Sequence, residues 1–236
     1  MARSIVDIDM KKGTNLTTPT SSMNIVESTY RVWGWVVLVW AFSRYFVHLP
    51  EWADEFIFKP MVFVFPILWY LKNKEKRSFG SIGLTTNNFF TSVYIGLGFG
   101  FVFAIEGLAA NAIKYGKLEI LPIAAFEQYG LGMLLLLSAA TAISEEILSR
   151  GFVFSRLIEG KKGLLFASFV STLMFVVLHI PILAFSSKLQ GSALLLFFVT
   201  DFVLGFANSL LLYNTGSLVA PILVHIFWNM TVALYL

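Results

Sequence analysis

The chain of 236 residues contains no cysteine, and Lys, Arg, Asp and Glu together make up only 13% of it. Without cysteine there is no disulfide, no thiolate metal site and no cysteine nucleophile. A soluble domain carries roughly a quarter charged residues, so this chain lacks the material for a solvated surface. The first 27 residues are not expected to be a signal peptide, since no apolar core with a small-residue cleavage site follows their basic residues. No internal repeat is visible, and no soluble domain fits between the apolar runs. What is abundant is hydrophobic: 57% of residues, 24 phenylalanines and a mean hydropathy of +0.77. The solvent for most of the chain is therefore lipid. The net charge of +3 and pI near 9.1 come from short loops. They read as topology signals and not as a nucleic-acid footprint, so no nucleic-acid partner is expected.

A spanning helix needs about 20 mainly apolar residues. Seven runs qualify, at 30–49, 56–72, 89–113, 131–157, 163–184, 191–213 and 217–236. The expected fold is all-α, a polytopic transmembrane bundle of about seven spanning helices (seven or eight). Residues 1–27, polar and rich in Ser and Thr, read as a flexible tail. Residues 28–236 read as one transmembrane domain, with the chemistry in 131–236. Basic residues mark cytoplasmic loops. Arg3, Lys11 and Lys12, then Lys72, Lys74, Lys76 and Arg77, then Arg156, Lys161 and Lys162 fall on one side under this count. The first loop is acidic (Glu51, Asp54, Glu55, with Lys59 beside it). The N-terminus is thus expected in the cytoplasm, and any re-entrant segment within 114–130.

Ionisable side chains at membrane depth are costly and mark a site or a partner. Glu145, Glu146 and Arg150 lie within six residues of one apolar run. Four residues apart on a helix, Glu146 and Arg150 face the same way and can pair. Glu145, about 100° around the helix, points to another neighbour and is left for something else. The alternative is a helix end snorkelling its charges to the interface. His179 follows Phe175 by one turn; a lone histidine in an apolar helix is more often a satisfied core residue than a catalyst. His225 and Asn229, again four apart, could donate hydrogen bonds into the bundle or serve as interhelical glue. Together, two carboxylates, two imidazoles and an amide on three helices can converge inside a bundle. A carboxylate and an imidazole can activate a water, and His and Asn donors can stabilise an oxyanion. That set suits hydrolysis of an acyl bond.

Three elements in order on successive hydrophobic segments, Glu145-Glu146-x-x-x-Arg150, Phe175-x-x-x-His179 and His225-x-x-x-Asn229, resemble the CAAX-protease and bacteriocin-processing (CPBP, Abi) family of intramembrane proteases. Type II CAAX prenyl endopeptidase belongs to the same family. Arg150-Gly151-Phe152 and Asn214-Thr215-Gly216-Ser217-Leu218 are also similar to it. The resemblance covers 131 to the C-terminus. It implies that Glu145 with His179 activates the attacking water, that Glu146 supports the site while held by Arg150, that His225 and Asn229 form the oxyanion hole, and that Phe175 packs beside them. Ser149 departs from the family's large apolar residue at that position, and local repacking is expected there. The resemblance also allows an eighth helix.

The expected activity is an intramembrane, glutamate-dependent endopeptidase acting on a membrane-associated peptide or protein, lipidated or not. In bacterial relatives the family implies peptide maturation, bacteriocin immunity or signalling; small size and bare loops point to a bacterial cell membrane. The alternative is a non-proteolytic scaffold or immunity protein binding a sensor kinase, transporter or peptide. No cofactor is favoured. Glu145, Glu146, His179 and His225 could hold Zn²⁺, but pairing of Glu146 with Arg150 and the weakness of Asn229 as a ligand favour a metal-free site.

Three further expectations concern geometry. Counted along their helices, Glu145 lies ~21 Å from residue 131, His225 ~12 Å in from the cytoplasmic end and His179 ~24 Å in. Glu145 and His225 then match nearer the cytoplasm, and His179 is too deep. Asp201 and Asn208 are read as facing opposite directions, with Asp201 and Glu106 each seeking a partner in the bundle. Arg44 and His48 are read as snorkelling.

Overall fold

The computed structural model describes residues 22–118, 124–185 and 190–232. Seven helical runs lie close to the seven expected segments. They are α1 (Ser22–Phe46), α2 (51–75), α3 (Phe89–Tyr115), α4 (124–159), α5 (Leu164–Phe185), α6 (Gly191–Thr215) and α7 (Val219–Val232). No strand occurs among the described residues. Helix α1 begins inside the segment read as a tail; residues 1–21 lie outside the described residues, as do 233–236.

Among the described residues, four helices are long and apolar enough to cross a membrane: Phe89–Ile113, Gln128–Glu159, Leu164–Phe185 and Leu194–Thr215. Helix α7 is apolar but shorter, and α1 and α2 do not meet the same length and hydropathy requirement. The reason in α2 is plain, since Glu51, Asp54, Glu55, Lys59, Lys72, Lys74 and Glu75 punctuate it. In the 114–130 stretch, Gly130 breaks the start of α4 with φ 70° and ψ 160°, separating 124–129 from the spanning helix. Residues 119–123 lie outside the described residues.

Two helices depart from α geometry where the site will be built. Pro60 and Pro66 each remove a backbone donor from the interior of α2. The run answers with wider π turns at Asp54–Phe58 and Pro60–Val64. Lys59 sits between them and is buried. Helix α4 turns π-helical at Ile147–Phe154, immediately after Glu146. Such turns concentrate at functional sites because they re-aim side chains without ending the helix.

The core fills the space between α1, α2, α4 and α5. Phe63, Ile67, Leu71, Leu148, Phe152, Phe154 and Phe175 are buried there. A smaller cluster, Leu204, Leu211, Val224 and Trp228, joins α6 to α7. At one end of the bundle Arg156 pairs with Glu75 at 2.7 Å and Arg77 pairs with Glu159. The loops after α2 and α4 therefore share a side, as the charge pattern expected.

The depth puzzle resolves at the α6–α7 turn. Ser217 and Leu218 are buried, and Leu218 N–H donates to the Gly83 carbonyl at 2.9 Å. Gly83, at φ 79°, closes a 3₁₀ turn (Phe79–Ile82) that lies beneath α7. A methyl of Leu218 sits 3.2 Å from where a Cβ on Gly151 would be. Gly151 lies ~12 Å inside the Glu159 end of α4. So α7 starts deep in the bundle, and the outlier is His225's helix, not His179's. His225 is ~9 Å beyond that sunken start, Glu145 ~21 Å from the Glu159 end of α4, and His179 ~22 Å from the Leu164 end of α5. All three come level in mid-bundle.

Candidate active site

Glu145 and Glu146, adjacent on α4 and rotated apart, serve different neighbours. Glu146 is fully buried. Its Oε1 lies 3.1 Å from Arg150 Nη1, accepts from Asn208 Nδ2 at 2.9 Å, and meets His225 Nδ1 at 2.8 Å. Paired with Arg150, Glu146 is an ionised acceptor, so the ring proton of His225 rests on Nδ1. A neutral ring then accepts at Nε2; a doubly protonated ring donates there. Arg150, also buried, stacks its guanidinium 4.1 Å over Phe175.

Glu145 is buried too, and its two oxygens differ. Oε1 accepts from Lys59 Nζ at 3.2 Å. Oε2 lies 3.8 Å from His179 Nε2 and 3.7 Å from His225 Nε2, with no hydrogen-bond partner among the described residues. Those two separations are too long for direct bonds and fit one bridging water. His225 thus spans both carboxylates, one through each ring nitrogen.

His179 Nδ1 lies 3.2 Å from the Phe175 carbonyl oxygen and 3.2 Å from Asp201 Oδ2. The carbonyl can only accept, so Nδ1 carries a proton, with Asp201 at ion-pair distance beside it, and Nε2 faces Glu145. The Phe175 ring packs edge-on against both imidazoles, with centroids 4.9 Å from His179 and 5.8 Å from His225. Asn229, one turn past His225, donates from Nδ2 to the Ser138 carbonyl at 3.4 Å. It is the member of the expected set whose observed bond lies away from the carboxylate pair. Ser149 is buried among the π turn's residues.

Several other expectations change. Asp201 and Asn208 do not face opposite ways: seven residues are two helical turns, and α6 delivers both to the site. Arg44 does not snorkel. It pairs with Asp54 and lies 4.0 Å over the Trp40 ring. Glu106 is exposed on α3 without an ion pair among the described residues. Lys59, expected beside the acidic first loop, is instead buried against Glu145.

Of the candidate zinc ligands, Glu146 Oε1 is engaged by Asn208, His225 and the neighbouring Arg150 guanidinium, and Lys59 places an ammonium on Glu145 Oε1. Glu145 Oε2 and the Nε2 atoms of His179 and His225 are the atoms of that set left open.

Helix α6 must come close for this assembly. A Cβ on Gly205 would lie 2.6 Å from Arg150 Nη2 and 2.8 Å from the Thr172 methyl. Gly205→Ala is therefore expected to push the guanidinium off Glu146. A loss of about 1–3 kcal/mol, typical of overpacking, should appear as a lower thermal midpoint in detergent. An unchanged midpoint would mean that α6 shifts freely and does not clamp Arg150.

Residues 127–231 match the family described as type II CAAX prenyl endopeptidase Rce1-like. No curated protein and no solved structure matches the chain.

Proposed function

We propose that this chain, a member of the CAAX-protease family through residues 127–231, is an intramembrane endopeptidase that hydrolyses a membrane-associated peptide by a water activated between Glu145 and His179. The observation that carries this is the convergence of Glu145 Oε2 with the Nε2 atoms of His179 and His225 at 3.8 and 3.7 Å. A water bridging these atoms gives a proton to the Glu145–His179 pair and attacks the scissile carbonyl carbon. The carbonyl oxygen becomes an oxyanion, which His225 stabilises by donating from Nε2 in its doubly protonated form. Asn229 Nδ2 carries a second N–H beyond the one given to Ser138 and adds to the same hole. Collapse breaks the C–N bond, and the proton taken from water passes to the leaving amine. The Phe175 carbonyl and Asp201 hold the His179 ring by Nδ1 with Nε2 inward, and Glu146 holds the His225 ring in the same way. The proposed substrates are membrane-associated peptides of the peptide-maturation, bacteriocin or signalling kinds, with or without a lipid attached.

A comparison of peptide termini in membranes and medium, with and without the chain, tests this. Termini that depend on the chain are expected. Identical profiles beside a persisting phenotype would favour a non-proteolytic scaffold or immunity protein instead. The hydrolysis is proposed to be metal-independent: purified protein should keep its rate in a strong chelator. Loss with the chelator and recovery with Zn²⁺ would overturn that part alone.

A further inference from the structure

We propose that Lys59 of α2, outside the 127–231 match, is a positioning residue that fixes the Glu145 carboxylate for water activation; this rests on the endopeptidase assignment above. A lysine buried inside the bundle needs a counter-charge. Glu55, one turn earlier on the same helix, already supplies it at 2.7 Å. The contact of Lys59 with Glu145 across to α4 is therefore not required to neutralise the lysine, and it selects one oxygen. With Oε1 held by Lys59, Oε2 is the oxygen presented to both imidazoles.

The surroundings hold the ammonium in place. Thr141, one turn before Glu145 on α4, donates to Glu55 Oε2 at 2.5 Å, so Glu55 is gripped at both oxygens. Trp40 of α1 lies beneath, its ring centroid 5.7 Å from Lys59 Nζ. The same indole donates to the carbonyl of Leu178, next to His179, at 3.0 Å. Helices α1 and α2 thus brace the water-activating pair from the side opposite α6 and α7. As Glu145 takes a proton, its negative charge passes to the substrate oxyanion. Lys59 keeps a salt bridge to Glu55 throughout, so the ammonium need not move during the step.

The test uses purified full-length protein in liposomes and a peptide spanning a cleavage site found in the terminus comparison. Lys59→Met should lower kcat about 100-fold, the size of effect a misplaced reacting group produces, with KM within about twofold. Lys59→Arg, which restores the charge, should recover most of the rate. A substrate-independent arm uses the absence of native cysteine: Glu55→Cys with Thr141→Cys should be bridged by a short bifunctional thiol reagent. Wild-type kcat in Lys59→Met, or a defect confined to KM, would overturn the positioning role alone. Failure of the bridge would overturn the contact it depends on. A bridged protein whose wild-type parent cleaves nothing would overturn the endopeptidase assignment, and the role with it.

Discussion

Glu145→Gln is expected to abolish cleavage, lowering the rate by at least the 10²–10⁴-fold that a positioned acid–base group contributes, while leaving abundance and helical content at wild-type levels. The amide is nearly isosteric with the carboxylate, and its oxygen can still accept from Lys59. Lys59 keeps its 2.7 Å partner Glu55, so no buried cation is orphaned. What the amide cannot do is take the proton of the bridging water. Its –NH₂, placed where Oε2 was, would also donate toward His179 Nε2 and disfavour the water's orientation. Matched-abundance membranes, scored for chain-dependent peptide termini, measure this directly. Retained cleavage would move the base to His179 alone, with Asp201 behind it, and leave Glu145 as a structural partner of Lys59.

Much of the candidate site was legible because a charge inside an apolar run is conspicuous. Glu145, Glu146, Arg150, His179 and His225 stood out individually, and the four-residue spacing of Glu146 and Arg150 gave the pair that the structure contains at 3.1 Å. Lys59 was missed because Glu51, Asp54 and Glu55 beside it make that stretch look like an acidic loop. The available signal was the pair Glu55 and Lys59 at i and i+4 followed by Pro60, which marks a helix with a broken ladder and an inward-turned base. Asn208 was missed through helical phase: it stands two turns from Asp201, and both face inward. Depth was not legible at all. It depends on how far the 214–218 turn sinks into the bundle, and that is decided by Gly83 and Leu218 meeting across 135 residues of chain. Hydropathy finds the ends of helices, not their level relative to one another.

Arg150→Met should have the largest effect on the fold itself. Arg150 and Glu146 are both fully buried. Removing one member of such a pair strands the other charge, at about 3–5 kcal/mol. Against a total stability on the order of 5–15 kcal/mol, that is enough to cut abundance sharply and to lower the thermal midpoint in detergent. Methionine fills the volume and can still pack on Phe175, so the loss is electrostatic and not a cavity. Asn208 and His225 would remain on Glu146 Oε1, but neither carries a permanent charge. The double variant Glu146→Gln with Arg150→Met removes both charges at once. It should regain most of the lost stability, because a neutral pair of similar volume is tolerated where half an ion pair is not. It should nevertheless stay inactive, since His225 would lose the carboxylate that holds its Nδ1 proton. Stability recovered without activity separates the two duties of Glu146, anchoring Arg150 and orienting His225. If Arg150→Met instead folds like the wild type and loses only its rate, Arg150 acts on the reacting groups directly, and the fold does not depend on the buried charge pair within α4.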